Sequence, residues 1–216
     1  MMKLNPILEK LLDKNYPNDI MLTLLVGASG SGKSTLEGFL EDGGFTTVKS
    51  YTTRPQRDRY DYGHIFVSKE EFDKLENKVA YTKFDGYEYC ATREQVDKAL
   101  VYIIDPDGIE NLKKLYNTDR EVVVIYLDVK SKLRENRMRA RGDSEEKVKA
   151  RLDNDEKVFD IEKIKPDAII NGNGDMTGTL EQFINMYEML LLNTKLNKLE
   201  KEEGICPFVS QDPRLP

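Results

Sequence analysis

Short apolar runs of strand length alternate along this chain with longer stretches whose apolar residues recur three and four positions apart. Met21-Leu22-Thr23-Leu24-Leu25-Val26 is the first such run, and Leu36, Phe39 and Leu40 behind it carry helical spacing. Asp42-Gly43-Gly44 ends that helix, and Phe45-Thr46-Thr47-Val48 predicts a second strand. Leu100-Val101-Tyr102-Ile103-Ile104-Asp105 predicts a third, turned by Pro106-Asp107-Gly108. Residues 121–127 predict a fourth, β-branched and continuous as strands covered on both faces are. Ala168-Ile169-Ile170-Asn171 predicts the last. Alternation in this order predicts an α/β fold, a parallel sheet of about five strands with helices on both faces.

The flanks read differently. Leu4, Ile7, Leu8, Leu11 and Leu12 make one apolar face of a short N-terminal helix, broken by Tyr16-Pro17-Asn18-Asp19. Residues 180–192 predict a closing helix. From 193 to 216 a lysine- and glutamate-rich stretch with Pro207, Pro213 and Pro216 predicts an extended or mobile tail, so the domain is expected to span 1–192.

Between the first strand and the first helix stands Gly27-Ala28-Ser29-Gly30-Ser31-Gly32-Lys33-Ser34, followed by Thr35. Two glycines, a lysine and a hydroxyl residue at this spacing, in a strand–loop–helix setting, predict a phosphate cradle of the P-loop NTPase kind. Backbone N–H groups converge there at the positive end of a helix dipole. Glycine is needed because parts of such a loop take positive φ and approach the ligand closely. Lys33 is then expected to reach the β- and γ-phosphates of a nucleoside triphosphate, and the Ser34 hydroxyl to ligate Mg²⁺.

Composition narrows the setting. With 33 basic against 39 acidic residues the formal charge is −6, which argues against nucleic acid as a bulk partner. Two cysteines, Cys90 and Cys206, are no disulfide framework and point to a reducing compartment. No apolar run approaches the length of a membrane span, so a cytoplasmic protein without a membrane partner is expected.

A second anion site follows the second strand. In Ser50-Tyr51-Thr52-Thr53-Arg54-Pro55-Gln56-Arg57 two arginines lie three residues apart behind hydroxyls. Guanidinium forks bind phosphate bidentately, and ligands of open α/β sheets sit at the carboxyl ends of strands. Further on, Arg134, Arg137, Arg139 and Arg141 cluster before Gly142-Asp143, and Arg151 lies one helix later.

Together these segments resemble the guanylate kinases of the P-loop nucleoside monophosphate kinase group. The likeness rests on residues 50–57, on Ile65-Phe66-Val67-Ser68-Lys69-Glu70-Glu71-Phe72, on Phe84-x-Gly-x-x-Tyr89 and on Arg141-Gly142-Asp143-Ser144-Glu145-Glu146, and it spans roughly residues 20–190. The resemblance implies Mg²⁺-dependent transfer of the γ-phosphoryl of ATP to a nucleoside monophosphate. It implies an acceptor-binding lobe over 51–92 and a lid over about 137–148. Gly27, Ala28, Ser29, Gly30, Ser31, Gly32, Lys33, Ser34 and Thr35 would hold ATP, with Asn171 and the Gly172-Asn173-Gly174 loop beside its adenine. Ser50, Arg54, Arg57 and Tyr89 would hold the acceptor phosphate. His64 falls where the family has a phosphate-binding tyrosine, and Tyr62 could stand in for it.

Arg137, Arg141 and Arg151 match lid arginines that neutralise the phosphoryl group in flight, whereas Arg134 and Arg139 are expected on a solvated charged face. Three readings of Asp105 stay open: orienting water on Mg²⁺, contacting the acceptor base, or capping the helix that begins near Ile109. The resemblance would also place a guanine-reading glutamate at Ala80 and a hydroxyl residue at Ala91. Their absence predicts a blunted or redirected base preference, with Asp105, Glu76 and Glu88 as the remaining carboxylates. A kinase of another nucleoside monophosphate and a non-catalytic peptide-binding module are the alternatives.

Overall fold

The computed structural model describes residues 21–56, 63–84 and 86–203. The expected N-terminal helix, Arg57, Tyr62 and the stretch 204–216 lie outside them.

Strand β1 (Met21–Val26) is wholly buried and central. It pairs in parallel with β6 (Val101–Ile103) on one side and β7 (Glu121–Asp128) on the other, and β7 pairs in parallel with β8 (Ala168–Asn171). A single parallel bridge, Thr47 to Val101, marks a fifth position beyond β6. The expected 45–48 strand is reduced to that bridge. The period-two alternation of β1 feeds two cores. Met21 and Leu25 join Leu36, Phe45, Phe183 and Tyr187 on one face, while Leu22, Leu24 and Val26 join Val96, Ile109 and Leu112 on the other.

The covering helices follow from local signals. Helix α1 (Lys33–Asp42) starts after Gly32 at φ 101° and ends at Gly43 and Gly44. A second, four-stranded sheet is inserted after it, in the order β3 (His64–Phe66), β2 (Ser50–Thr52), β5 (Tyr87–Thr92), β4 (Lys78–Phe84). Helix α2 (Lys69–Lys74) opens with a reciprocal capping box between Ser68 and Glu71, and α3 (Arg93–Lys98) follows β5. Helix α4 (Pro106–Leu115) has Asp105 as its N-cap and proline in its first turn.

Helices α5 (Ser131–Ala140) and α6 (Glu145–Val158) meet at Gly142, whose φ of 94° makes the turn the sequence predicts there. A short α7 (Ile161–Ile164) leads to β8. The last helix, α8, runs from Met176 to Glu203 rather than closing at 192, so the first part of the expected tail is helical. Residues 193–203 hold neither glycine nor proline, and Gly204 is the first breaker.

At the amino ends of the strands lies a feature the sequence pattern hid. Arg120, only 8 % exposed, donates to the carbonyl oxygens of Val96, Met21 and Ala99 at 2.9, 2.9 and 2.5 Å. One guanidinium thereby closes backbone groups of α3, β1 and the turn between α3 and β6.

Candidate active site

A cleft of about 660 Å³ opens at the carboxyl ends of the central strands, within the size range of small-molecule sites. Its walls come from three places. Ser29, Gly30, Gly32, Lys33, Ser34 and Thr35 contribute the glycine loop and the first turn of α1; Ser50, His64 and Tyr89 come from the second sheet; Arg137, Arg141 and Arg151 come from α5, the turn after it, and α6.

The loop is shaped by close approach. A Cβ on Gly30, whose φ is 74°, would stand 2.7 Å from the Arg134 carbonyl oxygen, and one on Gly27 would stand 2.9 Å from that of Leu127. Only glycine lets the loop lie this tightly on α5 and β7. The Lys33 ammonium folds over the loop, donating to the carbonyls of Gly27 and, at 3.1 Å, Ala28. Burial pushes its pKa down from 10.5 to about 8, with Asp155 pulling it upward and Arg134 and Arg141 pushing it further down. Gly27, Ala28 and Ser31 stand behind the cleft wall; Ser31 is buried.

Each predicted lid arginine reaches the cleft, by a different route. Arg137 donates to the carbonyls of Ser31 at 2.8 Å and Gly172 at 3.0 Å, clamping the glycine loop to the end of β8. Arg141 is held by Asp143 at 2.8 Å. Arg139 is solvated, paired with Glu145 and Glu135, as expected of a charged face. Arg134 is not. It is 8 % exposed and ion-paired at 2.8 Å to Asp155, itself 2 % exposed. The sequence places Arg134 among exposed arginines; an acidic partner on the next helix draws it inside.

At the acceptor end, the parallel register of β2 and β3 sets Ser50 beside His64, and Ser50 Oγ lies 2.8 Å from His64 Nδ1. The His64 ring meets Tyr89 edge-on at 5.5 Å. Arg54 does not line the cleft. It is buried, stacked on the Phe66 ring at 5.1 Å, and donates to the Pro55 carbonyl at 2.9 Å. Asn171 is likewise off the wall and braces the following loop, its Oδ1 accepting from Asn173 at 2.9 and 2.7 Å.

Asp105 is the helix cap of its third reading, and it also lines the cleft. Oδ1 accepts from Gly108 N at 2.7 Å as the cap of α4, while Oδ2 accepts from Thr82 at 3.0 Å on the cleft wall. Burial holds this carboxyl above its usual range, against the pull of those two bonds. The rest of this wall is Ala80, Phe84, Tyr102 and Ile104.

Ala80 sits in a β-bulge between Val79 and Thr82 at φ 53°, a left-handed conformation that is costly for a residue with a Cβ. Neither neighbouring carboxylate replaces a missing one. Glu88 accepts from the Tyr81 hydroxyl at 2.6 Å and pairs with Lys69 at 2.6 Å, while Glu76 lines a separate depression with Tyr51 and Lys98. Ala91 is fully buried away from the cleft. The carboxylates on the cleft wall, among the described residues, are Asp105 and Asp175.

No helix among the described residues is long and apolar enough to cross a membrane. Residues 20–189 match the family model for guanylate kinase. The chain is 29 % identical to the guanylate kinase of Helicobacter pylori (strain ATCC 700392 / 26695) over 199 residues, covering 85 % of this chain and 94 % of that protein. It is 28 % identical to the guanylate kinase of Agrobacterium fabrum over 145 residues, covering 61 % of this chain and 66 % of that one. Among solved structures, guanylate kinase from Anaplasma phagocytophilum superposes with a TM-score of 0.55 at 19 % identity, over 87 % of this chain and 98 % of that one. A gluconokinase from Sinorhizobium meliloti 1021 follows at 0.51 and 13 %, over 83 % and 98 %, a likeness of fold. With the family model matching well over half of its length, and with a glycine loop, an inserted sheet and three arginines around one cleft, the chain belongs to the guanylate kinase family and is a nucleoside monophosphate kinase.

Proposed function

We propose that the protein transfers the γ-phosphoryl group of ATP to GMP, with shallow discrimination against other purine monophosphates, as a cytoplasmic enzyme. The observation carrying this reading is that one cleft is lined by the Lys33 loop, by Ser50, His64 and Tyr89, and by three arginines. Phosphoryl transfer asks little covalent chemistry of a protein and much placement and charge neutralisation. Lys33 leaves the Gly27 and Ala28 carbonyls to meet the β- and γ-phosphates. Arg141 and Arg151 neutralise the moving group as the lid closes, and Arg137 holds the loop that presents it. Ser50, His64 and Tyr89 hold the acceptor phosphate in line, with Arg57 expected to join them.

A magnesium ion fits the donor set. Ser34 offers an exposed hydroxyl on the first turn of α1, and Asp105, close enough to raise the Lys33 pKa, offers a hard oxygen through water. Held there, Mg²⁺ would supply neutralisation of the charge that develops on the phosphates.

The wall of Ala80, Thr82, Phe84, Tyr102, Ile104 and Asp105 stacks on a base and offers a single carboxylate, already holding two hydrogen bonds. Sites that match every donor of a base reject analogues by about 10⁴–10⁵, and a site with fewer partners does not. Coupled assays across GMP, dGMP, AMP, dAMP, CMP, UMP and dTMP test this. GMP is expected to lead, with AMP well inside a thousandfold of it in kcat/KM. A preference of many thousandfold would overturn the shallow reading, and turnover with none of these substrates would overturn the kinase reading.

A further inference from the structure

One buried pair near the cleft remains without a role. Asp155 on α6 spends both oxygens on the glycine loop: Ser29 N donates to Oδ2 at 2.9 Å and Ser29 Oγ to Oδ1 at 3.1 Å. Arg134 on α5 backs it, donating to Asp155 Oδ2 at 2.8 Å, to the Ser29 carbonyl at 3.3 Å and to the Val129 carbonyl at 3.2 Å. Ser29 is thus gripped at its N–H, its hydroxyl and its carbonyl by one ion pair. Next to it, Gly30 lies against the Arg134 backbone.

We infer that Asp155, backed by Arg134, is a positioning residue for the donor site, locking Ser29 so that the loop behind it keeps its phosphate-facing shape. Three observations join in this. A buried ion pair contributes little net stability once desolvation is counted, so its presence here calls for another reason. Ser29 is the residue before the left-handed Gly30, the point from which the loop sets off toward Lys33. Asp155 also lies four residues after Arg151, so the two share a helix face, and anchoring Asp155 seats Arg151 on the cleft. The donor loop and a lid arginine are therefore held from one helix. The inference rests on the ATP site of the proposed reaction, and a native protein that binds no ATP sinks that reading before this one is reached.

The test uses the full chain in three forms: native, Asp155→Asn and the double variant Arg134→Met/Asp155→Leu. The double variant replaces the pair by apolar groups, a change that is often neutral for folding. Losing two charge-assisted bonds to Ser29 should raise the ATP KM, and the calorimetric Kd for ATP, about 10- to 100-fold in both variants. The acceptor KM should stay within twofold.

Asp155→Asn carries the same split readout: the ATP KM rises while the acceptor KM stays put, which a merely structural role would not give, since a general loosening of the fold would disturb both ends of the cleft. If the double variant folds with native ATP KM, or fails to fold at all, the pair serves the fold alone and the inference is overturned.

Discussion

Raising the pH through 8 should weaken ATP binding, because the free protein holds Lys33 at the edge of losing its proton. Burial lowers this ammonium from 10.5 to about 8, and it donates to uncharged oxygens, the carbonyls of Gly27 and Ala28 and the Ser31 hydroxyl. A triphosphate supplies negative charge at that ammonium and returns its pKa toward or above the ordinary value. Between the two values binding takes up a proton, and kcat/KM for ATP should fall about tenfold per pH unit, or about 1.4 kcal/mol. At pH 9 about nine-tenths of the free enzyme carries neutral Lys33, so calorimetry in two buffers should find uptake of about 0.9 proton per ATP, against about 0.1 at pH 7.

For folding alone the sign reverses. Above pH 8 the unfolded chain, with its lysine near 10.5, binds more protons than the folded one, so this group makes the free protein more stable as pH rises toward 10.5. Lys33→Arg keeps its charge throughout and should abolish the limb in whatever activity survives. A flat kcat/KM from pH 7 to 9.5, or no proton uptake at pH 9, would refute the reasoning.

Other expectations follow from burial and contacts. Arg141→Ala and Arg151→Ala should lower kcat on the order of 10²–10⁴ while shifting the acceptor KM little, whereas solvated Arg139→Ala should match the native enzyme in steady-state kinetics. Arg120→Met should cost about 2–4 kcal/mol of stability in urea titrations without touching the cleft, since it takes a charged donor from the buried carbonyls of Val96, Met21 and Ala99. Native stability in Arg120→Met would contradict that account.

The centre of this molecule is legible in its sequence, and its margins are not. An unbroken apolar run before a glycine loop can only be a covered strand feeding a helix, and β1, the loop and α1 stand where that pattern puts them. The edge strand at 45–48 is weaker because Thr46 and Thr47 bury little there, and it survives as one bridge. The second sheet is hidden because the bulge at Ala80 breaks the alternation of β4 halfway. Arg134 is misjudged from sequence because Lys132, Glu135, Arg137 and Arg139 around it make α5 read as a charged face; only the return of α6 brings Asp155, 21 positions on, to its guanidinium. Arg54 and Asn171 fall in the right segments yet turn into structural contacts, a matter of rotamer that spacing does not carry.

The central claim is tested most directly by following the label from [γ-³²P]ATP when the full-length protein is mixed with Mg²⁺ and GMP. Radioactivity should move one-for-one into GDP as ADP forms, omission of GMP should leave ATP almost intact, and Lys33→Ala, still folded by circular dichroism, should slow transfer on the order of 10³–10⁵. Label released as free phosphate regardless of acceptor, or a folded Lys33→Ala that transfers at the native rate, would contradict it.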